Sequence, residues 1–167
     1  KNEICEKPFT LDYHETVELF ELAESKNLIL IEAITNQYLP NYLEIKENLS
    51  QIGNIRLVEC NFSQLSSRYE AFKKGIIAPV FDKNQGGGVL GDLNIYNIHF
   101  AVGLFGAPRN SEYYPNIVRE VDTSGILILE YDEFKVVCIA AKDTYNNRNY
   151  TYNFFYYFYQ YFRPLNV

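Results

Sequence analysis

Methionine and tryptophan are absent from the 167 residues, and the chain begins with Lys1. A translated protein usually shows an initiator methionine, so a segment upstream of Lys1 is expected to be missing. Cysteine is scarce: Cys5, Cys60 and Cys138 are odd in number, far apart in sequence and outside any CxxC or Cys/His spacing. That pattern excludes a zinc-ligand set and leaves three reduced thiols in a reducing compartment. Basic residues are few, 15 Lys and Arg against 21 Asp and Glu, giving a net charge of −6 with no basic block. A polyanionic backbone could not be held by such a surface, which excludes nucleic acid as a partner.

No run of about 18 apolar residues occurs, and KNEICEKPFT lacks both the basic start and the apolar run of a signal peptide. No membrane span is expected, and the location implied is cytoplasmic. The chain also lacks GxGxxG, GxxxxGK[ST], HExxH and GxSxG. Phosphate-loop, zinc-protease and serine-hydrolase chemistry therefore have no support, and no metal is expected.

Hydrophobic residues make up 47% and charged residues 22% of the chain, a composition that folds around one sizeable core. Glu3–Cys5 begins as a strand that must stop at Lys7, because Pro8 cannot donate to a sheet ladder. Thr10 is placed to cap a helix over about 11–26, with Asp12 and Glu15 in its first turn and Val17, Leu19, Phe20, Leu22 and Ala23 spaced for one apolar side. Leu28–Ile31, a continuous apolar run, reads as a strand covered on both faces. Strand, helix and strand over residues 3–35 form the closing piece of a doubly wound parallel sheet.

A partly exposed helix over Asn41–Leu49, ended near Gly53, follows. Ile55–Phe62 and Gly125–Ala141 carry the β-rich pattern of a sheet. Between them, Gly86-Gly87-Gly88 opens a helix over Val89–Gly106, in which Val89, Leu93, Tyr96, Phe100 and Leu104 recur at spacings of three and four. The fold class is α/β: the end of a Rossmann-type domain followed by an α+β domain with a large, mostly antiparallel sheet. The tail is compositionally biased, with ten Tyr or Phe among the thirteen residues 150–162. It reads as an edge strand, an aggregation-prone segment or an out-of-frame translation; the codons of Tyr, Phe and Asn, all rich in A and T, favour the last.

Two places could carry chemistry. Lys7 ends a strand at the carboxyl edge of an α/β sheet, where such folds bind ligands; the plain alternative is a solvated loop lysine. Asp92, Tyr96 and His99 stand at i, i+4 and i+7 of the predicted helix and so share one face. Behind a glycine-rich start that lets backbone approach a ligand, that face could bind hydroxyls and move a proton. The alternative is that Tyr96 and His99 are core residues satisfied by Asp92.

CEKPF at 5–9, EAITNQYLPNY at 32–42 and GGGVLGDLNIYNIHF at 86–100 resemble the glucose–fructose oxidoreductase/inositol dehydrogenase (Gfo/Idh/MocA) family over about residues 1–143, most of all its dihydrodiol dehydrogenase-like branch. The resemblance implies a remnant of the dinucleotide-binding Rossmann domain at 1–36, an α+β substrate-binding and dimerisation domain at 37–143, and an aromatic tail at 144–167. It implies NAD or NADP as cofactor, with Glu6, Lys7 and Pro8 at the nicotinamide ribose, and Lys7 also beside the substrate.

The family's helix motif has Asp, then Gly two later, His four later and often Asp seven later. Those places hold Asp92, Asn94, Tyr96 and His99. Tyr in place of the catalytic His is similar to the dihydrodiol dehydrogenase-like members, which makes Tyr96 the acid/base, with Lys7 supplying the charge that stabilises a phenolate. Asp92 and His99 would orient the hydroxyls of a sugar, polyol or dihydrodiol-like substrate. The activity implied is hydride transfer by a homo-oligomer joined through its C-terminal sheet, with the isolated chain itself inactive. The alternative is a non-catalytic NAD(P)- or sugar-binding sensor that dimerises through that sheet.

Overall fold

The computed structural model describes residues 1–144; the aromatic tail from residue 145 on lies outside the described residues. Its first unit is β1 (Glu3–Glu6), α1 (Tyr13–Ser25) and β2 (Leu30–Ala33), with β1 and β2 paired in parallel, Glu3 opposite Leu30. The cap of α1 is Asp12, not Thr10. The Asp12 carboxylate accepts the His14 backbone N–H at 2.7 Å, and an acceptor at this position satisfies donors the first turn leaves open. Thr10 instead bonds the Asp12 carbonyl and the Thr16 hydroxyl.

The apolar run Leu28–Ile31, which leads into β2, is not covered on both faces as expected. Ile29 and Ile31 remain exposed, and α1 has no buried residue although Leu19, Phe20 and Leu22 line it. A two-stranded sheet with one helix presents too little surface to cover both faces.

The larger unit is a four-stranded sheet in the order β3-β6-β5-β4, built from β3 (Leu57–Ser63), β4 (Asn110–Val118), β5 (Val121–Glu130) and β6 (Lys135–Ala141). The β4–β5 and β5–β6 pairs are antiparallel and β3–β6 is parallel, so the sheet is mostly antiparallel as expected. The edge strand β4 was not foreseen in the sequence. It carries Pro115, which an edge tolerates, and joins β5 through Arg119 and Glu120, both with positive φ. A tight hairpin needs that geometry, but neither residue is the Gly or Asn that usually announces it.

Along β5 the side chains alternate: Val121, Thr123, Leu127 and Leu129 are buried while Ile126 faces out, the period of two that a half-covered sheet demands. The covered face packs with Val58, Cys60, Val136 and Cys138 against Tyr42 of α2 (Pro40–Asn48) and Phe100 and Ala101 of α4 (Ile95–Phe105). A side chain such as Phe100 contributes about 1.5–3 kcal/mol by leaving water. Cys60 and Cys138, far apart in sequence, are direct register partners in this core. All three cysteines are free, and the hydrogen bond between the Cys60 and Cys138 thiols, then burial, pushes the Cys60 thiol up. A second cluster forms where α3 (Tyr69–Lys73) brings Phe72 onto Phe81 and Val121, the two rings stacked at 4.4 Å.

The long helix begins differently from the prediction. Leu90–Asn94 is a π-turn and α-helical spacing starts only at Ile95. Because a π-turn inserts one extra residue, the phase of the apolar stripe shifts. Of the predicted stripe Val89 and Phe100 are fully buried while Leu93, Tyr96 and Leu104 are half-buried, and Asn94, Asn97 and Ala101 are buried besides. The asparagines are held by the sheet: Asn94 donates to the Cys138 carbonyl at 3.4 Å and Asn97 to the Ile139 carbonyl at 3.0 Å.

Candidate functional site

β1 ends at Glu6, and the chain turns inward through a cis Lys7–Pro8 peptide. Glu6 is exposed, whereas Lys7 is not the solvated loop lysine of the plain reading: its side chain is 14% exposed. Its ammonium donates to the Asp92 backbone carbonyl and to Asp92 Oδ1, each at 2.6 Å. The same ammonium stands 5.0 Å from the centre of the Tyr96 ring, within the range of a cation–π contact. The fold thus brings Lys7, Asp92 and Tyr96 together.

Asp92 does not satisfy Tyr96 and His99, contrary to the alternative reading of the helix face. Its second oxygen is taken by Lys142, whose ammonium lies 2.8 Å from Oδ2. Burial raises the carboxyl, but bonds from Lys142 and Lys7 outweigh it and hold Asp92 below the usual carboxylate range. Lys142 was missed by sequence reasoning. It follows β6 outside any motif, and only the fold shows that it reaches Asp92.

His99 sits apart from this cluster. Its Nε2 lies 2.9 Å from Glu32 Oε2 of β2, and Gln37 donates to its backbone carbonyl at 2.7 Å. The other Glu32 oxygen accepts the Phe9 backbone N–H at 2.9 Å, so one carboxylate ties α4 to the loop that carries Lys7. Asn36 donates to the Tyr96 carbonyl at 2.6 Å, and the Tyr96 ring meets Phe62 edge-on at 5.3 Å. Glu32, Asn36 and Gln37 fall inside the EAITNQYLPNY segment, a signal for the region but not for these contacts.

The glycines at 86–88 pack closely on the protein itself, Gly87 on backbone and Gly86 and Gly88 on the side chains of Leu11 and Asp122. A Cβ at Gly87 would collide with the Pro79 carbonyl and with Asp82, and one at Gly88 with Asp122. Asp122 in turn accepts the Leu90 N–H at 2.8 Å and the Tyr113 hydroxyl at 2.6 Å, pinning the π-turn that presents Asp92. An open cavity of about 370 Å³ lies beside these glycines, lined also by Lys83, Tyr113 and Asp122, but Lys7, Asp92, Tyr96 and His99 do not line it. The ion-pair cluster, where charge and geometry converge, is the better candidate site than this open hollow. Among the described residues no group of His, Cys, Asp and Glu is placed to hold a metal ion, and no helix is long and apolar enough to cross a membrane.

A parallel βαβ unit whose strand end delivers a lysine onto a carboxylate and a tyrosine of a sheet-packed helix defines a two-part α/β protein. Residues 42–155 match the GFO/IDH/MocA C-terminal domain, and the chain belongs to the GFO/IDH/MocA family. It is 37% identical over 143 residues to scyllo-inositol 2-dehydrogenase (NADP(+)) IolU of Bacillus subtilis, covering 85% of this chain and 44% of that protein. It is 32% identical over 136 residues to trans-1,2-dihydrobenzene-1,2-diol dehydrogenase of Xenopus tropicalis, covering 78% and 39%. The chain therefore spans less than half the length of these relatives. The fold is similar to that of an NAD binding oxidoreductase from Klebsiella pneumoniae, with a TM-score of 0.73 at 20% identity over 85% of this chain and 41% of that one. It is also similar to the WlbA dehydrogenase from Thermus thermophilus, solved with NAD and alpha-ketoglutarate, with a TM-score of 0.68 at 20% identity over 85% and 43%.

Proposed function

We propose that this chain supplies the catalytic and substrate-binding face of an oxidoreductase that moves a hydride between NAD or NADP and a hydroxyl or carbonyl of a small sugar, polyol or dihydrodiol. One observation carries the reading: the Lys7 ammonium is fixed between Asp92 and the Tyr96 ring. A cation held on the ring face fixes where the phenol stands, and a fixed phenol is what proton exchange with a substrate hydroxyl or carbonyl oxygen needs. The names of the relatives, an inositol dehydrogenase and a dihydrodiol dehydrogenase, support the substrate class.

In the reduction direction Tyr96 gives its hydroxyl proton to the carbonyl oxygen as hydride arrives at the carbon, and oxidation reverses both. Two ammonium groups on the single carboxylate of Asp92 leave the cluster with an excess positive charge, which favours the alkoxide that develops on the substrate oxygen. His99, tied to Glu32, would orient a further hydroxyl.

Residues 1–36 are assigned to the end of the dinucleotide-binding domain and 37–143 to the substrate-binding domain. Glu6 ends parallel β1 and Lys7 and Pro8 follow it, at the edge where such sheets bind ligands, which supports placing the nicotinamide end of the dinucleotide there. When bound, the dinucleotide accepts or supplies the hydride. The outward face of the sheet, with Ile126 and Tyr114 exposed, supports pairing with a second copy.

The test is turnover by the protein carrying this chain, followed by nicotinamide absorbance with NAD and NADP against inositols, sugars and a dihydrodiol. Substrate-dependent reduction of one cofactor is expected. No turnover with any pairing, from a folded protein, would sink the reading.

A further inference from the structure

Lys142 is the most deeply buried cation among the described residues, 2% exposed. Removing an ammonium from water costs several kcal/mol unless its donors are met. Its Nζ donates to the Val80 carbonyl at 2.7 Å, lies 2.8 Å from Asp92 Oδ2 and stands 4.5 Å over the Phe81 ring. Its backbone is pinned as well, with its N–H on the Thr123 carbonyl at 2.7 Å and its carbonyl accepting from Ser66 at 2.9 Å. The charges around it are Asp92 in contact, with Lys7 and Asp122 farther off. Burial lowers its proton affinity, and the bond to Asp92 opposes that.

Besides the Val80 carbonyl and the Phe81 ring, the contact this ammonium makes is with a charged group of the candidate site. The charge is aimed at the one carboxylate whose other oxygen holds Lys7. We propose that Lys142 is a positioning residue of the site: from beneath the π-turn it clamps Asp92 Oδ2, so that Oδ1 holds the Lys7 ammonium against Tyr96. Without the clamp the Asp92 carboxylate is held by Lys7 alone, and the Asp92 backbone carbonyl becomes the only fixed partner of the Lys7 ammonium. The clamp itself stands on geometry; its effect on turnover rests on the oxidoreductase reading above.

The test uses Lys142→Met and Lys142→Gln in the protein carrying this chain, with two independent readouts. The first is the rate at which an amine reagent, trinitrobenzenesulfonate, labels Lys7 at one pH, read by peptide mapping. It should rise several-fold in both variants. The second is turnover: kcat should fall about 10²-fold with little change in KM, and the acid limb of the pH profile should move to higher pH as Asp92 loses one counter-charge. In an Asp92→Asn background, Lys142→Met should cost little further activity, because the two act through one contact.

Unchanged labelling of Lys7 would overturn the clamp whether or not the protein turns over. Absence of turnover in the parent protein, with labelling changed as expected, would sink the oxidoreductase reading alone. Unfolding of both variants would assign Lys142 to stability and overturn the proposal too.

Discussion

Lys7 Nζ lies 2.6 Å from both the backbone carbonyl and the side-chain Oδ1 of Asp92, a contact across 85 residues of sequence. It joins the end of a parallel strand to the first turn of the helix that packs on the larger sheet. Breaking this contact or its supports has measurable consequences.

Tyr96→Phe removes only the hydroxyl and keeps the edge-on contact with Phe62. Turnover should fall by about 10²–10⁴-fold with an unchanged thermal midpoint. Lys7→Ala should lose activity on a similar scale. Turnover within a few-fold of the parent for both would remove them from the chemistry.

Asp92 is held below its ordinary value of 3.8. A carboxyl lowered on folding adds stability above its unfolded value, and that stability disappears as pH falls through the folded one. Asp92→Asn, which leaves Lys142 buried without its counter-ion, should cost about 2–3 kcal/mol at neutral pH, the partial exposure of Asp92 discounting the full cost of a broken buried pair. The difference from the parent should shrink as pH drops below about 4. Urea unfolding across pH checks this; parallel curves would contradict it.

Gly88 has φ +134°, and a Cβ there would strike Asp122. Gly88→Ala should therefore displace the carboxylate that accepts from Leu90 and Tyr113. A loss of about 2–4 kcal/mol is expected, from a disallowed backbone conformation plus a disturbed hydrogen-bond network. An unchanged denaturant midpoint would show that Asp122 can move freely.

Glu32→Ala deprives the Phe9 N–H of its acceptor and His99 of its partner. The expected cost is about 1–3 kcal/mol in stability, with amide exchange at Phe9 accelerated. Protection at Phe9 equal to the parent's would mean the loop is held by other contacts.

Much of the layout was legible beforehand. Pro8 fixes the end of β1, the run after Lys26 marks β2, and Gly53 ends the helical region before β3, because each of these signals acts within a few residues. The β4–β5 hairpin was not legible: Arg119 and Glu120 take positive φ under tertiary constraint, with none of the usual turn residues. The π-turn at Leu90–Asn94 was equally hidden. An α-helical period was assumed from Val89 on, and the extra residue puts Val89 out of phase with the stripe that α4 buries.

The sequence by itself determined which residues could carry chemistry, since Lys7 before a proline and Asp92, Tyr96 and His99 within one short helical segment are local signals, although the π-turn at Asp92 was not among them. Only the tertiary structure decided their partners. Lys142 reaches Asp92 because β6 runs beside β5 and under the π-turn, and Glu32 reaches His99 because β2 leads into the segment packed against α4. Those pairings span 50 and 67 residues, from 142 − 92 and 99 − 32, and no local periodicity encodes contacts at that range. They arise when the apolar faces of the sheet and of α4 are buried together, and the charges are carried into contact by that packing.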